Sequence, residues 1–117
     1  TIDPRNLGTD PRFRGRGVVT NGDGSVTVTG VALTFAFDPA EIRVPARRRV
    51  TFRLTSPDVT RGFQIVGTNG NAMVVPGYVT QFTTVFPRPG EYLVVCNEFC
   101  GLGHHFMAGK LIVEDVP

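Results

Sequence analysis

Short runs of alternating polar and apolar side chains are the feature that most limits the folds open to this chain. Valine and threonine alternate along residues 25–37, and residues 49–56 repeat the same period of two. This period is typical of a strand with one face in the core and the other toward solvent. No stretch shows a convincing helical period. The sequence therefore predicts an all-β fold, an antiparallel β-sandwich or a Greek-key β-barrel.

Turn residues separate these runs at regular intervals. Residues 21–24 (Asn-Gly-Asp-Gly) suit a tight turn, because Asn and Gly tolerate a positive φ. Residues 1–16 mix Pro, Gly, Asp and Arg without an apolar period, which predicts an extended lead-in on the surface. Further strands are predicted at residues 18–20, 41–45, 62–66, 72–75, 80–86, 91–95 and 109–114.

The length and composition indicate a single domain over residues 1–117. A chain of 117 residues buries a core without help from disulfides, and its apolar fraction of 41% is that of a folded protein. The formal net charge of +2 argues against nucleic acid as a partner. No stretch approaches the roughly 20 apolar residues of a membrane helix. Because the sequence begins at Thr1 and not at methionine, we expect a processed, soluble fragment.

The candidate chemistry lies in residues 95–107, which contain both cysteines, both histidines and one of the two methionines. Thiolate, imidazole and thioether are donors that suit copper better than magnesium, calcium or manganese. Cys96 and Cys100 are followed by His104 and Met107, and two glycines before His104 let the backbone turn tightly. One loop that returns past a single point would present all four donors to a metal.

Taken alone, the two cysteines leave other interpretations open. Their Cys-x-x-x-Cys spacing permits a disulfide. A structural zinc site would need four Cys or His ligands, usually with tighter spacing, and buried free thiols are a third interpretation. A thiol oxidoreductase is disfavoured, because its usual motif is Cys-x-x-Cys at the start of a helix. The flanking histidine and methionine favour metal binding.

The run from Cys96 to Met107, with Glu98, Cys100 and His104 between them, resembles the dinuclear copper (CuA) site of cytochrome c oxidase subunit II, above all in the B-family oxidases of thermophilic bacteria. The resemblance implies a cupredoxin fold, a Greek-key β-barrel, in agreement with the strand pattern. It spans most of residues 25–114 through further landmarks, which are Phe35-Ala36-Phe37, Ser56-Pro57-Asp58-Val59, Gly62-Phe63, Gly67-Thr68-Asn69, Pro76-Gly77 and Arg88-Pro89-Gly90-Glu91-Tyr92.

The resemblance also implies a ligand set. Cys96 and Cys100 would bridge two coppers through their thiolates. His104 would bind one copper, and Met107 and the backbone carbonyl of Glu98 would be weak ligands.

An electron-transfer function is implied in the same way. The domain would accept electrons from a cytochrome c and pass them to heme in oxidase subunit I, and it would catalyse nothing by itself. Its expected place is the outer face of the bacterial cytoplasmic membrane, linked to the membrane by a missing anchor or a partner subunit. Phe99, Leu102 and Phe106 are candidates for the docking face, because transient redox partners meet through small, partly apolar patches.

One position departs from the family pattern. A second histidine is expected directly before Gly62, and this sequence has Arg61. Arginine stays protonated and has no lone pair for a metal, whereas Gln64 is a substitute donor close by. His105 is expected to point elsewhere. A structural interpretation makes Arg61 a surface residue paired with Asp58.

Three outcomes follow for the metal. The dinuclear site persists with a weak donor at the vacant position, or it becomes mononuclear, or it is empty. We favour copper binding that is weaker or differently coordinated than in the family. The alternative functions are a mononuclear copper-binding or copper-delivery module and a metal-free structural domain of an oxidase subunit.

Overall fold

The described part of the chain folds into ten β-strands and contains no helix. The computed structural model describes residues 17–33, 36–57, 60–68, 71–98 and 105–115, with the backbone alone for residues 33, 36, 96–98 and 105–108. The predicted lead-in therefore lies outside the described residues. The strands are β1 (Gly17–Thr20), β2 (Val26–Leu33), β3 (Ala36–Asp38), β4 (Glu41–Pro45), β5 (Arg49–Thr55), β6 (Arg61–Ile65), β7 (Asn71–Val74), β8 (Thr80–Val85), β9 (Gly90–Glu98) and β10 (His105–Glu114).

None of the residues that the structure describes belongs to a helix long and apolar enough to cross a membrane.

The strands form two five-stranded sheets. Sheet A has the order β1-β2-β5-β8 with β3 also paired to β2, and sheet B has the order β4-β10-β9-β6-β7. Most neighbours are antiparallel, but β2 and β5 are parallel, as are β4 and β10. Parallel neighbours need a connection that crosses over, and the chain between β2 and β5 does so by placing β4 in sheet B. The all-β prediction is confirmed, whereas the sheets are mixed and not purely antiparallel.

The alternating stretch at residues 25–37 forms two strands and not one. β2 and β3 pair antiparallel, with Val31 opposite Asp38 and Leu33 opposite Ala36. The period of two continues across the point of reversal, so alternation by itself does not locate the turn.

The predicted turn at residues 21–24 is confirmed between β1 and β2. Gly24 N donates to Asn21 O at 3.1 Å, and Gly24 has a φ of +87°. Ser25 Oγ donates to Asp23 Oδ1 at 2.6 Å, and Ser25 N donates to the same oxygen at 3.0 Å. The side-chain bond, followed by the backbone bond, lowers the pKa of the Asp23 carboxyl, because both stabilise its charged form.

Apolar side chains from the two inner faces fill the space between the sheets. In β5, Val50, Phe52 and Leu54 are fully buried, and the residues between them are partly exposed. In β6, Phe63 and Ile65 are buried in the same alternating way. The period of two in the sequence therefore marks the core face as predicted.

An aromatic cluster joins sheet A to sheet B. The Phe63 ring of β6 lies 5.0 Å from Phe37 and 6.0 Å from Phe52, measured between centroids. Phe52 stacks on Phe82 at 5.0 Å with an interplanar angle of 17°. Full burial of one phenylalanine side chain contributes about 1.5–3 kcal/mol to the stability of the fold. These contacts hold β6 against sheet A with one face inward.

The middle of β10, directly after a β-bulge, lies against the connection between β3 and β4. The register between β9 and β10 shifts between Met107 and Gly109. Lys110 N donates to Ala40 O at 2.9 Å. A Cβ on Gly109 would lie 3.0 Å from the Ala40 carbonyl carbon and closer still to the carbonyl oxygen. Only glycine permits this approach of two backbones.

We expect Gly109→Ala to lower the free energy of unfolding by about 1–3 kcal/mol, because the added methyl group displaces the Ala40 carbonyl. Urea unfolding followed by circular dichroism measures the change. Gly22→Ala is the matched control, because a Cβ at Gly22 meets no atom within 4 Å. Equal stability of the two variants would show that the backbone at Gly109 adjusts freely.

Candidate metal centre

The hairpin of β9 and β10 carries several of the candidate ligands. The sequence predicted that one strand ends at residue 95 and the next begins at residue 109. β9 instead continues to Glu98 and β10 begins at His105, with Cys96 paired to Phe106. Antiparallel pairing gives the backbone N–H and C=O groups of both segments hydrogen-bond partners as far as Asn97 and His105. Cys96, Glu98 and Met107 therefore lie in strands and not in a loop.

β6 brings Arg61 to the same end of sheet B. Arg61 pairs with Glu98, and Phe63 pairs with Cys96. Met107 lies on β10, one residue beyond the partner of Cys96. Neighbouring strands in a sheet are about 5 Å apart. The register thus places Arg61, Cys96, Glu98 and Met107 on three adjacent strands at one end of the sheet.

The remaining predicted residues lie partly outside the described part of the chain. Cys100, His104, Phe99 and Leu102 fall between β9 and β10, where the structure describes no residue, and for Phe106 it describes the backbone alone. Within the described ranges, no three His, Cys, Asp or Glu side chains gather as a metal site. The ligand set therefore stays a prediction from the sequence.

Arg61 is buried in the interior and not on the surface. It is 1% exposed, and the alternation in β6 places it on the same face as Phe63 and Ile65. The interpretation of Arg61 as a surface residue is therefore wrong, and its proposed partner Asp58 lies outside the described residues. A buried guanidinium is costly unless it is paired, and Arg61 is not without a partner.

Buried polar side chains mark the same end of the molecule. Among the described residues they are Thr55, Ser56 and Arg61, at the end of β5 and the start of β6. Thr55 Oγ1 donates to Tyr78 O at 2.9 Å. Ser56 begins the Ser56-Pro57-Asp58-Val59 segment noted in the sequence, whereas Thr55 was not predicted to be special. The signal in the sequence is that the apolar alternation of Val50, Phe52 and Leu54 ends in two polar residues, but only the structure shows that both are buried.

Gln64 lies on the other face of β6. It is partly exposed, and it alternates with the buried residues Phe63 and Ile65. Side chains of successive strand residues point to opposite faces. Gln64 therefore does not share the face of Arg61, and the structure gives no support to Gln64 as a donor in its place.

The donor set fits copper in part. Two thiolates, an imidazole and a thioether are ligands that copper accepts. Position 61, however, presents a guanidinium to the interior, and a guanidinium has no lone pair for a metal. The donor types therefore suit copper, and position 61 supplies no imidazole for a second ion.

The chain is similar to solved structures of an oxidase, of an oxidase subunit domain and of a blue copper protein. A heme–copper terminal oxidase dimer solved by cryo-EM has a chain 40% identical to this one, with a TM-score of 0.74 over 91% of this chain and 74% of that chain. The periplasmic domain of oxidase subunit II (CoxB) of Bradyrhizobium japonicum has a TM-score of 0.64 at 17% identity, covering 76% and 83%. Auracyanin A, a blue copper protein of Chloroflexus aurantiacus, has a TM-score of 0.60 at 21% identity, covering 78% and 100%. The last two likenesses concern the fold alone, and they define the class: an all-β, cupredoxin-like domain.

Sequence comparison then identifies the family. The family described as "Cytochrome C oxidase subunit II, periplasmic domain" matches residues 27–116. Two cytochrome c oxidase subunit 2 sequences from Thermus thermophilus are each 44% identical over 98 residues, which is 84% of this chain. The chain spans 73% of one relative and 58% of the other. It belongs to the family of periplasmic domains of cytochrome c oxidase subunit II.

We expect Gln64→Ala to leave the copper bound per chain unchanged, because Gln64 lies on the opposite face of β6 from Arg61. Metal analysis after copper loading and desalting measures the ratio. Gln81→Ala is the control for loss of an amide side chain elsewhere, on β8 of sheet A. A loss of copper in Gln64→Ala alone would show that this side chain is a ligand.

Proposed function

We propose that this domain is the electron-transfer unit of a heme–copper oxidase and holds copper through Cys96, Cys100, His104 and Met107, with the backbone carbonyl of Glu98 as a weak ligand. The register of sheet B is the observation that carries the proposal. It brings Cys96, Glu98 and Met107, three of the five proposed ligands, to one end of two paired strands. Membership of the subunit II family supports the same assignment.

The chain supplies a stiff frame for these ligands. β9 is an inner strand of sheet B, hydrogen-bonded to β10 on one side and to β6 on the other. Cys96 pairs with a residue on each neighbour, so its backbone is tied from both sides. When bound, copper supplies a centre that gains and loses one electron. A frame that moves little on electron transfer keeps the structural reorganisation small.

The proposed partners follow from the family. The domain accepts electrons from a cytochrome c and passes them to heme in oxidase subunit I, and oxygen reduction belongs to that partner. Relatives of this chain are subunits of cytochrome c oxidases and of a heme–copper terminal oxidase. We place the domain at the outer face of a bacterial cytoplasmic membrane, linked to it by an anchor or by the partner subunit.

The docking face for the donor is proposed to include Phe99, Leu102 and Phe106. These apolar residues flank the proposed ligands in the sequence. Transient redox encounters use small contact areas, because the two proteins must separate after the electron has moved. A small apolar patch next to the copper lets the donor come close to the metal and still separate quickly.

After thiol reduction, removal of the reductant and loading with Cu(II), we expect intense thiolate-to-copper absorption in the visible and near infrared. Cys96→Ser should weaken and shift these bands, because Cys100 is then the remaining thiolate, and Cys96→Ser with Cys100→Ser should abolish them. His104→Ala should weaken copper binding at least about ten-fold, since one lost ligand typically costs more than 1.4 kcal/mol. His105→Ala is the matched control and should retain both properties. A chain that stays colourless after copper loading would exclude the proposed function.

For the docking face, we expect Leu102→Ser to slow reduction of the copper-loaded domain by a reduced c-type cytochrome, with no change in copper content. Leu93→Ser is the control, because Leu93 is 46% exposed on β9 and five residues before Glu98. Stopped-flow absorption measures the rates. Equal slowing in the two variants would place the donor elsewhere on the surface.

A further inference from the structure

β8 is an edge strand of sheet A, and its outer edge is open. β5 is the only strand of the described residues that pairs with β8. Along an antiparallel strand, every second residue directs its N–H and C=O groups away from that neighbour. The start of β8 lies beside β7, because Thr80 Oγ1 donates to Met73 O at 2.8 Å. The open part of the edge therefore runs from Gln81 to Val85.

The space beside the end of β8 is open as well. A groove of about 370 Å³ is lined by Thr84 and Val85 of β8 and by Gly67 and Thr68 after β6. Phe82 packs on the core but is only partly buried, and Val85 is 49% exposed. The described residues of sheet B therefore leave apolar surface along this edge uncovered.

β8 lacks the features that usually protect an edge strand. Natural sheets protect their edges with charges, proline, bulges or very short strands. β4, an edge strand of sheet B, has Glu41, Arg43 and Pro45, and β1, β3 and β7 have only three or four residues each. β8 has six residues, no charge, no proline and no shift in its register with β5. Its threonines, phenylalanine and valine favour the extended conformation, so β8 is ready to pair with another strand.

A second copy of β8 fits this edge. Two identical strands pair antiparallel about a two-fold axis, and residues opposite each other share a face. With the axis at Thr83, the middle of the open part, Gln81 lies opposite Val85, and Phe82 lies opposite Thr84 of the second copy. No charges meet at these positions. An acidic or basic strand would find no opposite charge here, so the composition favours a copy of the same strand.

We propose that β8 is the interaction surface for a second copy of this chain, paired antiparallel about Thr83 so that the two copies of sheet A form one continuous sheet. A pair of such short strands buries less than the roughly 1,200 Å² of a stable interface, and we expect a weak dimer with a Kd of about 0.1–1 mM. On a membrane surface, where the proposed function places the domain, confinement raises the local concentration, and a weak contact suffices.

Disulfide cross-linking tests the register. In a chain with Cys96→Ser and Cys100→Ser, we expect Thr83→Cys to form a linked dimer at least about ten-fold faster than Val85→Cys, because only position 83 meets itself across the axis. Cα atoms of opposite residues are about 4.5–5.5 Å apart, a distance that a disulfide spans. Val85→Cys is the matched control on the same face of β8, and it should link rapidly only when it is mixed with Gln81→Cys chains. Equal rates for the two single variants would overturn the inference.

Sedimentation equilibrium of copper-free, reduced chains tests the association itself. We expect a monomer–dimer equilibrium for the unsubstituted chain, and Thr83→Lys should weaken the dimer at least about ten-fold, because two like charges then meet at the axis. Val19→Lys adds the same charge on β1, where Val19 is 57% exposed, and should leave the dimer unchanged. A chain that stays monomeric at about 1 mM, or equal weakening by both lysines, would contradict the proposal. Circular dichroism melts show that each variant is folded, and the absence of copper keeps the result independent of the proposed function.

Discussion

The packing of Phe63 between Phe37 and Phe52 determines which face of β6 lies inside the molecule. Side chains alternate along a strand, so an inward Phe63 also turns Arg61 and Ile65 inward. A shift of one residue would reverse the whole strand and expose the aromatic ring. The burial of the arginine is therefore a consequence of the aromatic core.

The same constraint reaches the proposed metal site through backbone pairing. β6 lies beside β9, and the pairing of Phe63 with Cys96 sets Arg61 opposite Glu98. β10 lies on the other side of β9, and its bulge before Gly109 adjusts the position of Met107. Core packing, sheet register and the place of the ligands are thus parts of one arrangement.

The two ends of the sandwich differ in what they bury. Valine, leucine, isoleucine and phenylalanine fill the core along most of its length. At the end where β5 and β9 finish, Thr55, Ser56 and Arg61 are buried instead. Polar groups in a core cost free energy unless they find partners, as Thr55 does at Tyr78. Departures from core patterning of this kind are expected where a protein carries function.

Sequence by itself determined the all-β class, most strand positions, the turn at residues 21–24, and the chemistry of position 61. These are local properties: a period of two, a turn composition, and a side chain without a lone pair. The order of Cys, Glu, Cys, His and Met along the chain is equally local, and it indicates the family.

Tertiary structure decided which residues meet. It divided residues 25–37 into two strands, extended β9 and β10 beyond their predicted ends, and paired Arg61 with Glu98. It also placed Gln64 on the face away from Arg61 and showed that the arginine is buried. Where a strand ends, which face a side chain takes and whether it is buried all depend on partner strands far away in the sequence. No local pattern predicts them for that reason.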